Sequence, residues 1–122
     1  MAKKFPNRRQ DPRYGLPKVL DTRLEFKDRD GFDQRLPLTD VSFGGAGFTM
    51  PRKISGVDKG AMIGDAVIRI GNTAIEVNLE VLHTTRGFRM DYSCGVRIYP
   101  KTEDDRNKLS ELISQLTMLP EA

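Results

Sequence analysis

The sequence predicts a mainly β domain: a six-stranded antiparallel β-barrel with a C-terminal α-helix and a flexible N-terminal arm. Three observations carry this. Apolar and polar residues alternate in short runs, as in Leu20, Thr22, Leu24 and Phe26 set between Asp21, Arg23 and Glu25, the period of a strand with one wet face. Glycine- and aspartate-rich turns separate the runs, and open strand edges of this length are best protected by a sheet that closes on itself. After Pro100 the period changes, and Leu109, Leu112, Ile113 and Leu116 recur at helical spacing, one apolar stripe that can lie on the barrel or on a partner.

Residues 1–17 hold Pro6, Pro12, Gly15 and Pro17 among charges, and no strand or helix period fits them. They form the arm. The first strand covers Leu20 to Phe26, and "KDRDGFDQR" reads as the polar turn after it. A second strand over residues 34–42 is weakened by Pro37, which favours an edge or a bulge. It runs into "DVSFGGAGF", residues 40–48, where alternation resumes at Ala46, Phe48 and Met50. Beyond a glycine-rich connection at 56–64, "DAVIRI" repeats the pattern, and Gly71-Asn72 marks a turn. Ile75, Val77, Leu79 and Val81 alternate with Glu76, Asn78 and Glu80 to give the longest strand, and "CGVRIY" at 94–99 closes the series. Thr102 can cap a helix whose first turn, Glu103, Asp104 and Asp105, places negative charge at the positive end of the dipole. Pro120 stops it. The division is therefore an arm over 1–17, a barrel over 18–100 and a helix over 101–119.

At 122 residues the chain suits one domain with one modest core. Its apolar stretches are broken by charges far short of the roughly 18 residues that a membrane-spanning helix needs, so no membrane insertion is expected. The start, "MAKKFPNRR", has no apolar run or cleavage site of a secretory signal. A single cysteine, Cys94, suits a reducing compartment, and the expected location is the cytoplasm. Of the net charge of +3, residues 1–13 contribute +4, from Lys3, Lys4, Arg8, Arg9 and Arg13 against Asp11; the remainder sums to −1. A nucleic-acid-binding surface spreads cations over a whole face, so this small footprint argues against DNA or RNA.

The inventory for catalysis is thin. His83 is the only histidine and ends an alternating strand; Cys94 sits beside Gly95 and reads as a buried small hydrophobe. No nucleophile, base and orienting group assemble, and the chain is not expected to be an enzyme. No metal is expected either: no His/Cys cluster has ligand spacing, and Asp28, Asp30 and Asp33 around Gly31 follow turn chemistry and lack the ordered spacing of a calcium loop.

Two stretches break the pattern. Arg8, Arg9 and Arg13 lie in "NRRQDPR", and guanidinium binds phosphate through paired donors and stacks on aromatic faces. In "DVSFGGAGF", Gly44, Gly45 and Gly47 allow positive φ and close approach of backbone N–H groups to a bound group. Asp40 and Ser42 are two apart and point to one face of a strand. A carboxylate there accepts from guanine N1–H and N2–H, and a hydroxyl can donate to phosphate.

Together, Arg9-x-x-x-Arg13 and Asp40-x-Ser42-x-x-Gly45, about thirty residues apart, resemble the RxxxR and [D/N]xSxxG signatures of the PilZ domain. "CGVRIY" is similar to the family's last-strand pattern, and the resemblance covers about residues 8–118. It implies a bacterial receptor for the second messenger cyclic di-GMP, which the family often binds as a stacked pair. By this resemblance Arg9 and Arg13 grip phosphate and the guanine Hoogsteen edge, with Arg8 as a further clamp or stacking partner. Asp40 holds the Watson–Crick edge, Ser42 a phosphate or the backbone of the turn, and Gly45 keeps the wall clear, with Gly44 also counted among the ligand-binding residues. His83 and Arg86 are further candidates that match no fixed pattern. The implied mechanism is a switch: ligand orders the arm, and the protein signals to an unidentified effector protein with no cofactor. The alternatives are a PilZ-like adaptor that binds no ligand and a small barrel for single-stranded nucleic acid, which would need exposed aromatic platforms.

Overall fold

The computed structural model describes residues 14–15, 21–87 and 89–117. The strands are β1 (Tyr14–Gly15), β2 (Thr22–Lys27), β3 (Asp33–Val41), β4 (Gly45–Met50), β5 (Met62–Ile70), β6 (Thr73–Arg86) and β7 (Tyr92–Pro100), followed by α1 (Glu103–Thr117). All pairings are antiparallel. β2 lies between β3 and β5, β6 lies between β5 and β7, and β4 closes the ring by pairing with both β7 and β3. This is the expected six-stranded barrel. β1 is an addition to it: Tyr14 and Gly15, assigned to the arm by sequence, pair with Val41 and Asp40 on β3.

Alternation places one side chain in two inside. Leu24 and Phe26, Leu36 and Leu38, Ile75, Val77, Leu79 and Val81 are all buried, and they join one core with Phe48, Met50, Val96 and Ile98. Phe26 and Phe48 meet at a ring separation of 6.4 Å. Pro37, which cannot donate to a ladder, stands opposite Arg23 at the end of the β2 pairing, and the β3–β4 ladder slips between Leu38 and Asp40. Of the edge or bulge that Pro37 favours, a bulge is found just beyond it.

Two further slips move strand ends away from their sequence-predicted places. In β5 the slip between Ile63 and Ala66 contains Asp65 at φ 57°, so the strand begins before "DAVIRI". In β6 it lies between Val81 and His83, and the strand continues to Arg86. A bulge inserts a residue without ending the pairing, which breaks the period of two while the strand goes on.

The helix packs on β6 and β7, with Leu109, Leu112, Ile113 and Leu116 buried in the barrel's core. Its N-terminus is built as predicted. Thr102 Oγ1 accepts from the Asp105 N–H (3.1 Å) and donates to Asp105 Oδ2 (2.7 Å), while Asp105 Oδ1 accepts from the Glu76 N–H on β6 (2.9 Å). Burial alone would raise the Asp105 pKa, but hydrogen bonds from Thr102 and the Glu76 N–H hold it below its ordinary 3.8. A depressed folded-state pKa contributes stability above the ordinary value that is lost as pH falls through the folded one. Asp105→Ala should therefore cost about 1–3 kcal/mol at neutral pH. In urea melts its deficit should narrow below roughly pH 4, and a deficit that stays constant down to pH 2 would contradict this role.

Candidate functional site

The "DVSFGG" segment is a strand end, a tight turn and a strand start. β3 finishes at Val41 and β4 starts at Gly45. The Ser42 N–H donates to the Gly45 carbonyl (2.8 Å), and the Gly45 N–H donates to Ser42 Oγ (3.1 Å). Ser42 Oγ also donates to the same carbonyl at 3.3 Å. The Gly44 carbonyl accepts from the Ile98 N–H, which ties the turn to β7. Ser42 is thus buried and committed to closing the turn. The expectation that Asp40 and Ser42 share one exposed strand face fails, because the strand and its alternation end between them. Of the two roles implied for Ser42, the turn is the one observed.

Asp40 stays on the outer face, half-buried. What surrounds it was not visible in any single motif. Asp40 is in register with Gly47 on β4, Gly47 with Gly95 on β7, and Gly95 with His83 on β6. Four strands therefore contribute one row, with side chains at its ends and bare backbone between. At a strand spacing of about 4.8 Å, the row is about 14 Å long.

The outer side chains lean inward over the glycines. A methyl group built on Gly47 would lie 2.9 Å from both Asp40 Oδ2 and Thr39 Oγ1, and one on Gly95 would collide with the His83 imidazole, 2.7 Å from Cε1. Thr39 Oγ1 donates to Asp40 Oδ2 at 3.4 Å. At Gly47, in extended strand backbone, the missing side chain gives room to Asp40 and Thr39, and Gly95 on β7 does the same for His83. Both glycines are buried beneath these side chains, so the row presents an anionic acceptor at one end and an exposed imidazole at the other. Arg97, opposite Gly45, lies beside the row with its guanidinium 3.8 Å from Glu80.

The other candidates are placed as follows. Arg8, Arg9 and Arg13 lie outside the described residues. Of the residues that follow Arg13, Tyr14 pairs with Val41 and Gly15 with Asp40. His83 is an exposed member of the row; Arg86 lies three residues further along β6 and donates to Met90 Sδ. Burial pushes the Cys94 thiol up to about 11, so it stays protonated at neutral pH. Asp28 uses its carboxylate to accept from the Asp30 and Phe32 N–H groups and from Gln34 Nε2, as a turn residue does. Among the described residues no group of three or more His, Cys, Asp or Glu could hold a metal ion, and no helix is long and apolar enough to cross a membrane.

The family model described as "PilZ domain" matches residues 7–115. No curated protein matches the sequence. Among solved structures, a complex of K. pneumonia MrkH with c-di-GMP superposes with a TM-score of 0.82 at 18% identity, covering 93% of this chain and 54% of that one. The PilZ domain of Escherichia coli YcgR with c-di-GMP gives 0.71 at 16% identity over 90% and 92% of the two chains. The Bacillus subtilis inhibitor of motility MotI gives 0.68 at 19% identity over 95% and 55%. The chain spans about half the length of the MrkH chains it matches.

Proposed function

Since the chain belongs to the PilZ domain family, we propose that it is a receptor for cyclic di-GMP, bound on the row Asp40–Gly47–Gly95–His83 and gripped by Arg8, Arg9 and Arg13. The observation that carries this is the register: Gly15, two residues after Arg13, is paired with Asp40 at the head of the row that ends at His83. Asp40 accepts from guanine N1–H and N2–H, and Arg9 and Arg13 donate to phosphate and to O6 and N7, where an arginine fork fits two acceptors. Gly47 and Gly95, with no side chains of their own, let Asp40 and His83 lie low against the sheet, and His83 offers a ring at the far end. Ser42, Gly44 and Gly45 act through the turn that sets the position of Asp40. The +4 of residues 1–13 answers the two phosphates of one ligand, or the four of a stacked pair. Binding ties the arm to the barrel and presents a changed surface to an effector protein.

Calorimetry with cyclic di-GMP, GTP and a short single-stranded RNA tests this reading. Saturable heat is expected from the cyclic dinucleotide alone, with affinity that falls as salt rises. Absence of heat at tens of micromolar, a level that marks roughly −6 kcal/mol, would refute it. A second expectation concerns Gly47. Gly47→Ala pushes a methyl group against the tips of two side chains that can swing away, so the cost falls on the position of Asp40 and little on the fold. Cyclic di-GMP affinity should drop at least about tenfold, or 1.4 kcal/mol, while Tm moves by no more than about 3 °C. Wild-type affinity in that variant would remove the row from the site.

A further inference from the structure

The turn that positions Asp40 also carries Phe43, whose side chain is 46% exposed. Beside it opens a cleft of about 320 Å³, lined by Phe43, by Ile98, Tyr99 and Pro100 at the end of β7, and by Arg106 and Leu109 of α1. Ile98 and Leu109 are buried and form its apolar floor, and Tyr99 is 41% exposed. The Tyr99 hydroxyl donates to Glu80 at 3.0 Å, which holds the ring in place. Two exposed aromatic rings over an aliphatic floor leave apolar surface in contact with water, a common mark of an interaction site.

The charge at its rim is specific. Nearby ions are already matched: Lys101 with Asp65, Lys108 with Asp104, and Asp105 within the helix cap. Arg106 is exposed and makes no ion pair among the described residues. We propose that this cleft docks a segment of a partner protein in which an aromatic or leucine side chain stands next to a carboxylate, the side chain filling the cleft and the carboxylate pairing with Arg106.

Two other occupants fit less well. The chain's own Phe5 is flanked by Lys3, Lys4, Arg8 and Arg9, which Arg106 repels. A second copy could offer Phe32, 67% exposed and next to Asp33; but Asp33 is already paired with Lys27, which leaves it less able to answer Arg106. The assignment goes beyond the cyclic di-GMP reading and does not rest on it, since a chain silent in calorimetry could still dock a protein here.

The test is selection of a random short-peptide library on the full chain, followed by affinity measurements on the enriched peptides. Enriched sequences should carry Phe, Tyr, Trp or Leu beside Asp or Glu. They should lose at least about tenfold in affinity against Phe43→Ser and against Arg106→Glu, two surface changes that leave Tm unaltered. Arg106→Glu should also bind better to the version of each peptide with Lys in place of its acid. Enrichment of neutral or basic peptides, or acidic ones indifferent to both substitutions, would overturn the proposal. So would self-association in sedimentation that Phe32→Ser abolishes, or a change in the Phe43 NMR signals on Phe5→Ser.

Discussion

Asp40→Ala is expected to lose cyclic di-GMP binding by more than about a hundredfold while leaving the barrel folded. The carboxylate is the one anionic group in the row, whose other members are two glycines and His83. Two charge-assisted hydrogen bonds to a guanine, at roughly 1.5–3 kcal/mol each, amount to about 3–6 kcal/mol, and about 2.8 kcal/mol is already a hundredfold. The cost to the fold is small because Asp40 faces outward and its neighbour Val41 supplies the core contact. Asp40→Asn should fall between wild type and alanine, since an amide oxygen still accepts one bond without the charge. Calorimetry reads all three. An alanine variant within about threefold of wild type would place the guanine elsewhere.

Much of the barrel was legible because burial imposes a period. Leu24 and Phe26 and the run from Ile75 to Val81 alternate as the dry faces of strands and are core, and the helix stripe from Leu109 to Leu116, which by its period suits either the barrel or a partner, lies in the core. Strand limits were less legible where the period breaks. Leu82 falls at the bulge between Val81 and His83, so the alternation stops there although the hydrogen-bonded strand runs to Arg86. At Tyr14–Gly15 there are only two residues, too few to establish any period.

The candidate site was legible only at one end. Asp40 and the glycines after it stand out as a local motif, but Gly95 and His83 join them through register across β4, β7 and β6. Register depends on turn length and on bulges at a distance, and those at Leu38/Asp40 and Val81/His83 flank the very row they align. Glycine inside a strand is a usable signal for close backbone approach. Gly47 and Gly95 both carry that signal, and what the chain's linear order could not supply was that they are neighbours.

Phe48→Ala should have the largest effect on stability, and it separates the barrel from the site it supports. Phe48 follows Gly47 directly, so alternation turns it inward, where it is 1% exposed and meets the Phe26 ring. Truncating a core phenylalanine costs about 3–5 kcal/mol, a large share of the roughly 5–15 kcal/mol that holds a domain together. For a chain of this size that lowers Tm by roughly 12–20 °C. A thermal melt that drops by less than about 5 °C would contradict the packing described. Ligand then distinguishes the two faces of β4. At a hundred times its Kd, cyclic di-GMP adds about 2.7 kcal/mol to any variant that binds it. It should return roughly 10 °C to Phe48→Ala, whose outer row is intact, and nothing to Asp40→Ala, whose core is intact. Recovery of Tm in both variants would mean that the ligand does not use Asp40, and recovery in neither would mean that the outer row depends on the core ring beneath it.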